Sequence, residues 1–359
     1  MKTRPWKTRL PAALLIAAAA GALLSCSVSE QRTEQHEIAA FGTRIELTLR
    51  VDRHTDSAQA VAAVDRMFQR MHRQWHAWQP GMLGDINAAI AAGRPIQISQ
   101  QTRTIMQRAA RLEEKSDGLF NPAMGRLFAL WGFHSDARPT GPPPDRDEIR
   151  QRIDPPPSMA DLSFKDNMLS STSPAVQLDF GAFLAGVAAE NALAILGQHG
   201  ITHAIVNVGG DLGVVGTGAR RAWRTAVQHP DGQGGKHLAH IDLKDGEFVF
   251  TSGNYHRYRQ HEGLRYGHLI DPRSGYPAGS VQSVTVIDTR GGRADAAATA
   301  LAVAGADEWQ AVARRMGVEQ VLRAEADGTV VVTRAMAHRI KWQQAPQRLR
   351  VVSSRAASQ

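Results

Sequence analysis

The chain has 359 residues, with 42 Lys and Arg against 34 Asp and Glu, and a formal net charge of +8. Its apolar content of 43% and charged content of 21% exclude a disordered chain and fit one large globular domain or two small ones. The single cysteine excludes an internal disulfide and a zinc site built from thiolates.

The positive charge is concentrated at the two ends of the chain. Residues 1–25 and residues 335–359 hold four and five basic residues and no acid, so the body between them is close to neutral. A near-neutral body argues against a nucleic-acid partner, which would require a basic face on the fold. Residues 335–359 are predicted to be a solvated basic tail, with contact to an anionic membrane surface as the alternative.

The N-terminal 25 residues have the layout of a secretory signal. A basic segment precedes an apolar run over 10–24, which is shorter than the roughly 20 residues that span a bilayer. The run ends in Leu23-Leu24-Ser25-Cys26, which resembles the lipobox of bacterial lipoproteins. This predicts cleavage before Cys26 and its lipidation, giving an exported protein held at a membrane and facing the periplasm. A simple cleaved signal with an incidental cysteine is the alternative.

The first part of the mature chain contains three predicted elements. Residues 26–37 are polar and are predicted to be a tether. Alternating apolar residues over 41–51 predict a strand, and helical spacing of apolar residues over 61–75 predicts a helix. A second helix is predicted over 101–115 because Asp117-Gly118 follows it.

The later part mixes helices with antiparallel strands. Seven of the 17 prolines lie within 139–157 and predict an exposed insertion near 135–160 around one short helical piece. Beyond it, a helix is predicted over 186–200, a buried strand over 202–208 and a hairpin turn at Asp327-Gly328. The pattern predicts an α+β fold, as a single compact domain over 38–334.

Two segments combine small and polar residues where a core would be apolar. In the first, Asp179 precedes Gly181 and Ala182 at the start of a helix, where backbone can approach a phosphate closely. An ordinary strand-to-helix turn is the alternative. The second, 207–211, holds a glycine pair without the GxGxxG spacing, so no dinucleotide-binding Rossmann fold is predicted.

Three more segments of this kind follow. Residues 251–255 read Thr-Ser-Gly-Asn-Tyr. Residues 268–277 contain a His, an Asp and an Arg within six positions, together with Gly and Pro residues that force turns. A solvated loop would look similar to the latter. Asp295 and Thr299 share one face of a helix of small residues, as a hard cation such as Mg²⁺ would require. A surface or capping pair is the alternative.

In this order the five segments resemble the ApbE-type FAD:protein FMN transferases. The likeness extends from about residue 41 to residue 305. Residues 118–122 and 130–133 match the family's stretch ahead of its insertion, and residues 252–255 and 268–277 match its most recognisable block. It implies a single ApbE-like domain of mixed sheets with flanking helices.

The resemblance also implies an activity. Members of the family bind FAD with Mg²⁺, transfer the FMN half through a phosphoester to a Thr or Ser of a partner flavoprotein, and release AMP. The acceptor would be an exported or membrane-bound redox protein.

The same resemblance implies site residues. Asp295, Thr299 and the carbonyl of Ala182 would hold the metal, and His268 is the candidate for deprotonating the acceptor hydroxyl, with a hydrogen-bonding or structural role as the alternative. The residues implied to line the FAD site are Phe41, Trp78, Asn121, Pro122, Ala123, Asp179, Ala185 and Ile270.

The chain departs from the family pattern near the start of the helix after Asp179. Ala185 stands where the family usually has Lys or Glu, and Glu190 stands where it usually has Asp. The loss of one charge-assisted contact costs roughly 1.5–3 kcal/mol. The alternatives are therefore a flavin-binding lipoprotein with weak or no transferase activity and a Mg²⁺-dependent FAD pyrophosphatase.

Overall fold

The computed structural model describes residues 31–53, 55–135, 137–218, 221–229, 236–254 and 257–353. The predicted signal peptide, the predicted lipidation site Cys26 and Tyr255 lie outside these residues.

The described residues form the following elements. The helices are α1 (Ala58–Trp75), α2 (Met82–Ala91), α3 (Gln100–Lys115), α4 (Gly125–Leu130), α5 (Arg146–Ile153), α6 (Gly181–Gln198), α7 (Gly291–Val303), α8 (Trp309–Met316) and α9 (Arg334–Ala337), with a 3₁₀ turn at Met159–Asp161. The strands are β1 (Gln31–Ala40), β2 (Thr43–Asp52), β3 (Ile96–Gln97), β4 (Leu162–Lys165), β5 (Met168–Ser171), β6 (Ala204–Val208), β7 (Asp211–Val215), β8 (Trp223–Gln228), β9 (His237–Leu243), β10 (Phe248–Gly253), β11 (Tyr258–His261), β12 (Leu264–Gly267), β13 (Val281–Asp288), β14 (Gln320–Glu325), β15 (Val330–Thr333), β16 (Ile340–Trp342) and β17 (Leu349–Val352).

A nine-stranded sheet organises the molecule, in the order β1-β2-β6-β7-β10-β13-β14-β15-β17. All neighbours are antiparallel except β15 and β17, which are parallel. Smaller sheets have the orders β16-β9-β8, β3-β5-β4 and β11-β12. Mixed sheets with flanking helices confirm the predicted α+β class.

The large sheet separates two apolar cores. On β10, Phe248 and Phe250 belong to the core shared with α1, α6 and α7, whereas Val249 belongs to the core shared with β8, β9 and β16. This division follows from the two-residue period of a strand, which sends successive side chains to opposite faces. Helix α6 is long and apolar enough to cross a membrane, but here it packs in the first core.

The sequence-based boundaries hold for several elements and shift for others. The helices predicted over 61–75 and 101–115, the short helical piece in the proline-rich insertion and the hairpin at Asp327-Gly328 are all present. The strand predicted from residue 41 begins at Thr43, because Phe41 adopts a positive φ of 56° in the turn after β1. The helix predicted from residue 186 begins at Gly181.

The predicted tether over 26–37 is wrong for its described part. Residues 31–37 belong to β1, which pairs with β2 along ten residues, from Gln31 opposite Asp52 to Ala40 opposite Thr43. This edge strand is held by backbone hydrogen bonds and is mostly exposed, so it lacks the apolar alternation that would have revealed it.

The predicted basic tail over 335–359 is wrong as far as residue 352, because α9, β16 and β17 lie within it. Two of its basic residues are paired with acids of the fold: Arg339 with Glu247 at 2.7 Å, and Lys341 with Asp242 at 2.5 Å. The domain therefore extends beyond the predicted limits of 38–334 at both ends.

Segments singled out in the sequence lie in the turns at one end of the large sheet. The β1–β2 turn at Phe41 and Gly42 and the β6–β7 turn at Gly209 and Gly210 lie at this end, and Gly209 N–H donates to the Arg44 carbonyl. Gln31 and Asp52 lie at the opposite end. We call the first of these the turn end of the sheet.

Helices α6 and α7 touch through two glycines. A Cβ atom placed on Gly186 would clash with the Gly291 carbonyl, and one placed on Gly291 would clash with the Gly186 carbonyl. The two helices therefore contact each other through backbone atoms, so a clash at this crossing cannot be relieved by rotating a side chain.

Gly186→Ala should lower the free energy of unfolding by about 3 kcal/mol, because the new methyl group must push the two helices apart. Urea denaturation followed by circular dichroism measures this. Gly197→Ala is the matched control on the same helix, since an added Cβ there meets nothing within 4 Å, and it should be neutral or raise stability by about 0.5–1 kcal/mol. Equal effects of the two variants would contradict the close crossing.

Buried Glu113 makes stability depend on pH. Its Oε2 accepts from Met159 N–H at 2.8 Å, and burial raises the pKa of the carboxyl from 4.5 to about 7. The folded state therefore holds this proton more tightly than the unfolded state, and its contribution to stability is lost as pH rises from about 4.5 through 7. Relative to wild type, Glu113→Gln should gain up to about 3 kcal/mol between pH 5 and pH 8. Urea midpoints that keep a constant difference across this range would contradict the assignment.

Candidate active site

Asp295 joins the two helices that the sequence placed in the site. It lies on α7, is 7% exposed, and its Oδ2 accepts from Gly186 N–H of α6 at 3.0 Å. In a regular helix that N–H would donate to the Ala182 carbonyl, and Ala182 has the non-helical angles φ −86° and ψ 24°. The carboxylate of Asp295 thus contacts the backbone of α6 four residues beyond Ala182.

Hydroxyl groups and a second carboxylate surround Asp295. Thr299 Oγ1 lies 3.0 Å from Ser252 Oγ of β10. The neighbouring residue of β10, Thr251, donates its N–H to Asp211 Oδ1 at 2.8 Å. Asp211 stands at the start of β7, directly after the glycine pair, and the sequence had not identified it as a site residue.

Two carboxyl groups at this place have raised pKa values. Burial raises the pKa of Asp295 to about 7. Burial, and then the nearby charge of Asp295, raise the pKa of Asp211 well above its ordinary value. The shift of Asp211 therefore reflects a second carboxylate close by, and a bound divalent cation would offset the charge of such a pair.

The oxygen donors at this place fit a hard cation. Mg²⁺ prefers carboxylate, hydroxyl, carbonyl and water oxygens, and the first three are present here in Asp295, Thr299 and Ala182. Within the described ranges no three His, Cys, Asp or Glu side chains cluster.

Trp78 and Asp179 are joined by a histidine that the sequence did not single out. His134 stacks on Trp78, with ring centroids 5.1 Å apart and planes inclined by 26°. Its Nε2 lies 3.1 Å from Asp179 Oδ2, while Asp179 Oδ1 accepts from Gly181 N–H at 2.9 Å. Trp78 stays 37% exposed. The predicted aromatic and acidic groups therefore form one assembly at the start of α6.

A row of rings connects Phe41 to this assembly. Phe41 contacts His72 with centroids 6.0 Å apart, His72 contacts His76 at 5.3 Å, and His76 contacts Trp78 at 4.7 Å. His72 Nδ1 also accepts from Phe41 N–H at 3.3 Å. The structure therefore places Phe41 and Trp78 along one aromatic wall.

Asn121, Pro122 and Ala123 run alongside the segment that ends in Asp179. Asn121 Oδ1 accepts from Ala123 N–H at 2.9 Å, and the Pro122 carbonyl accepts from Asp179 N–H at 2.8 Å. Asn121 Nδ2 donates to the Pro157 carbonyl at 2.9 Å. Because Ala123 is fully buried, this segment would meet a ligand through its backbone and Asn121.

His268 is oriented by the backbone of Arg257. Its Nδ1 lies 3.1 Å from the Arg257 carbonyl, and since a carbonyl only accepts, Nδ1 carries a hydrogen, so that in the neutral ring Nε2 holds the lone pair. The Arg257 guanidinium lies 5.7 Å from the Trp78 ring and donates to the Ser135 carbonyl at 2.7 Å. Arg257 thus links His268 to Trp78, another contact that sequence spacing could not reveal.

Two predicted cofactor residues are less accessible than expected. Ile270 is 4% exposed and packs in a small core with Trp131 and Ile149. Ala185 is partly buried against the main core. Either residue would contact a ligand only through a small part of its surface.

Glu190, which stands where the family usually has Asp, has a local structural role. Its Oε1 accepts from Gly292 N–H at 3.0 Å in the first turn of α7, and its Oε2 pairs with Arg108 Nη2 at 2.7 Å. The longer acid thereby caps the helix that carries Asp295 and Thr299.

Comparisons with known proteins identify the family of this chain. The ApbE family model matches residues 41–322. A FAD:protein FMN transferase of Rhodobacter capsulatus is 37% identical over 91% of this chain, and the chain spans 62% of that relative's length. A FAD:protein FMN transferase of Vibrio cholerae is 28% identical, covering 76% of this chain and 81% of the relative.

Solved structures give the same result. The crystal structure of the ApbE protein from Thermotoga maritima superposes with a TM-score of 0.77 at 26% identity, covering 86% of this chain and all of that one. The family model covers well over half of the sequence, and the matched range contains each of the predicted site segments from Phe41 to Thr299. The chain belongs to the ApbE family.

Proposed function

We propose that the chain is a Mg²⁺-dependent FAD:protein FMN transferase, which moves FMN from FAD to a Thr or Ser hydroxyl of a partner flavoprotein and releases AMP. The observation that carries the proposal is the pair Asp211 and Asp295, of which Asp295 contacts the first turns of α6, a few residues along the chain from Asp179 of the Trp78–His134–Asp179 assembly. The names of the Rhodobacter capsulatus and Vibrio cholerae relatives support the same reaction.

Metal and nucleotide have distinct places in this proposal. Asp295, Thr299 and the Ala182 carbonyl hold Mg²⁺, which offsets negative charge on the pyrophosphate when bound. Trp78 and Asp179, with the wall that includes Phe41 and Asn121, bind the flavin nucleotide. Positioning and charge neutralisation dominate catalysis of phosphoryl transfer, so preorganised oxygen donors suit the reaction.

In the proposed transfer step, His268 accepts the proton that the acceptor hydroxyl loses. The acceptor hydroxyl oxygen bonds to the phosphorus of the FMN half, while the bond from that phosphorus to the bridging oxygen breaks. The bridging oxygen leaves with AMP, and the hydroxyl proton passes to Nε2 of His268, the ring nitrogen that holds the lone pair. The tautomer fixed by the Arg257 carbonyl favours this role over a purely structural one.

The proposed location follows from the N-terminal sequence. Lipidation of Cys26 would anchor an exported protein at a membrane, facing the periplasm, and its partner would be an exported or membrane redox protein that receives FMN. Mass spectrometry of the membrane fraction tests this. A chain without acyl groups, or a Cys26→Ala variant that stays with the membrane, would contradict it.

Ala185 gives specific support to a second candidate, a flavin-binding lipoprotein with little transfer activity. This position lacks the charged side chain that the family usually has there, and transfer would be slow without a substitute. A FAD pyrophosphatase would use the same metal site.

One assay separates these functions. The protein is incubated with FAD, Mg²⁺ and an acceptor domain carrying a Thr, with and without EDTA. Covalent flavin fluorescence on the acceptor that EDTA abolishes is the expected result. Free FMN and AMP without labelled acceptor would indicate hydrolysis, and bound intact FAD would indicate a binding protein; either outcome would overturn the proposed transfer.

A further inference from the structure

We infer that His134 is a positioning residue that couples recognition of the flavin nucleotide by Trp78 to recognition by Asp179. The inference rests on the proposed function, and it concerns a residue that carries neither the metal nor the proposed proton transfer.

His134 contacts two residues of the proposed ligand site. One ring face stacks on Trp78, and Nε2 meets the Asp179 carboxylate at 3.1 Å. Only 9% of its side chain and 15% of that of Asp179 are exposed, so water does little to screen the pair. A carboxylate accepts only, which places the hydrogen on Nε2 of His134.

This arrangement restricts both partners. The indole of Trp78 loses rotational freedom because His134 stacks on it, in addition to its contacts with His76 and Arg257, while 37% of the residue remains exposed and available to a ligand ring. Asp179 is held at both oxygens, by His134 and by Gly181 N–H. A rigid aromatic plane beside a fixed carboxylate matches a planar heteroaromatic ring with N–H groups at its edge, and preorganisation reduces the entropy lost on binding.

Two substitutions of His134 test its two contacts separately. His134→Phe keeps a ring beneath Trp78 but removes the hydrogen bond, whereas His134→Gln keeps a donor for Asp179 but removes the ring. His199→Phe, at the exposed C-terminal end of α6, is the matched control. The measurements are the Kd for FAD by flavin fluorescence quenching, and KM and kcat for transfer to the Thr acceptor.

We expect His134→Phe to raise Kd and KM for FAD about tenfold, with kcat within threefold of wild type, and His134→Gln to recover part of the affinity. In an Asp179→Ala background, His134→Phe should change Kd less than twofold, because the hydrogen bond is already lost. If His134 had a purely structural role, its substitution would lower the melting temperature and leave Kd, KM and kcat at their wild-type values.

The outcomes distinguish this inference from the proposed function. Wild-type Kd in both His134 variants, or effects of His134→Phe and Asp179→Ala that multiply, would overturn the coupling role while the transferase stands. A wild-type protein that does not bind FAD would overturn the proposed function, and the role of His134 with it.

Discussion

Replacing Asp295 by Asn should lower the rate of FMN transfer about a thousand-fold and remove measurable Mg²⁺ binding. A metal-held charge contributes several kcal/mol to a phosphoryl-transfer transition state, and about 4 kcal/mol corresponds to this factor. Asn still offers an oxygen to Gly186 N–H, the hydrogen bond that Asp295 makes at 3.0 Å, so the contact between α6 and α7 is retained.

Control measurements distinguish loss of Mg²⁺ binding from unfolding of the variant. Isothermal titration with Mg²⁺ and the rise in melting temperature on adding Mg²⁺ should both disappear in Asp295→Asn, while the metal-free variant melts no lower than wild type. The metal-free variant should not be destabilised, because the substitution removes a carboxylate that is buried beside Asp211. Asp307→Asn, at a solvent-exposed position, should bind Mg²⁺ and transfer FMN like wild type. Retained Mg²⁺ affinity in Asp295→Asn would contradict the assigned metal site.

Replacing His268 by Asn should lower kcat for transfer by roughly 10²–10⁴-fold with little change in the KM for FAD, because a positioned general base contributes on that scale. The Asn amide can still donate to the Arg257 carbonyl, which His268 Nδ1 meets at 3.1 Å, but it has no lone pair that accepts a proton at neutral pH.

The pH profile gives an independent readout for His268. The wild-type rate should fall on the acid side as the imidazole becomes protonated, and this acid limb should be absent from the residual rate of His268→Asn. His261→Asn, in the β11–β12 hairpin, serves as the control for a general His-to-Asn effect. A kcat within threefold of wild type in His268→Asn would contradict the base role and favour a structural one.

Local sequence patterns indicated the proposed metal ligands but not the residues around them. Asp295 and Thr299 are four residues apart on one helix, so the sequence alone placed them on one face. His134 reaches Asp179 across 45 positions and Arg257 reaches Ser135 across 122, and no local period encodes such contacts. The sequence segments indicated where the site lies, whereas the tertiary fold determines which side chains complete it.

The fold could be predicted where apolar periodicity was strong, as in α1, and not where backbone pairing alone holds a strand. Strand β1 has an exposed, polar face, and β17 exposes Leu349 and Val351 while its basic neighbour Arg348 pairs with Asp327. These edge strands look like solvated polypeptide until a partner strand is known.

The direction of β1 determines how far the turn end of the sheet stands from the proposed lipid anchor. Four residues separate Cys26 from Gln31, whereas the ten residues of β1 span about 30 Å before the chain turns at Phe41. A protein attached at Cys26 would therefore present its site on the side away from the bilayer. An acceptor hydroxyl on a membrane complex would have to stand a few tens of ångströms above the lipid surface, which favours acceptors on protruding domains over those set at the headgroups.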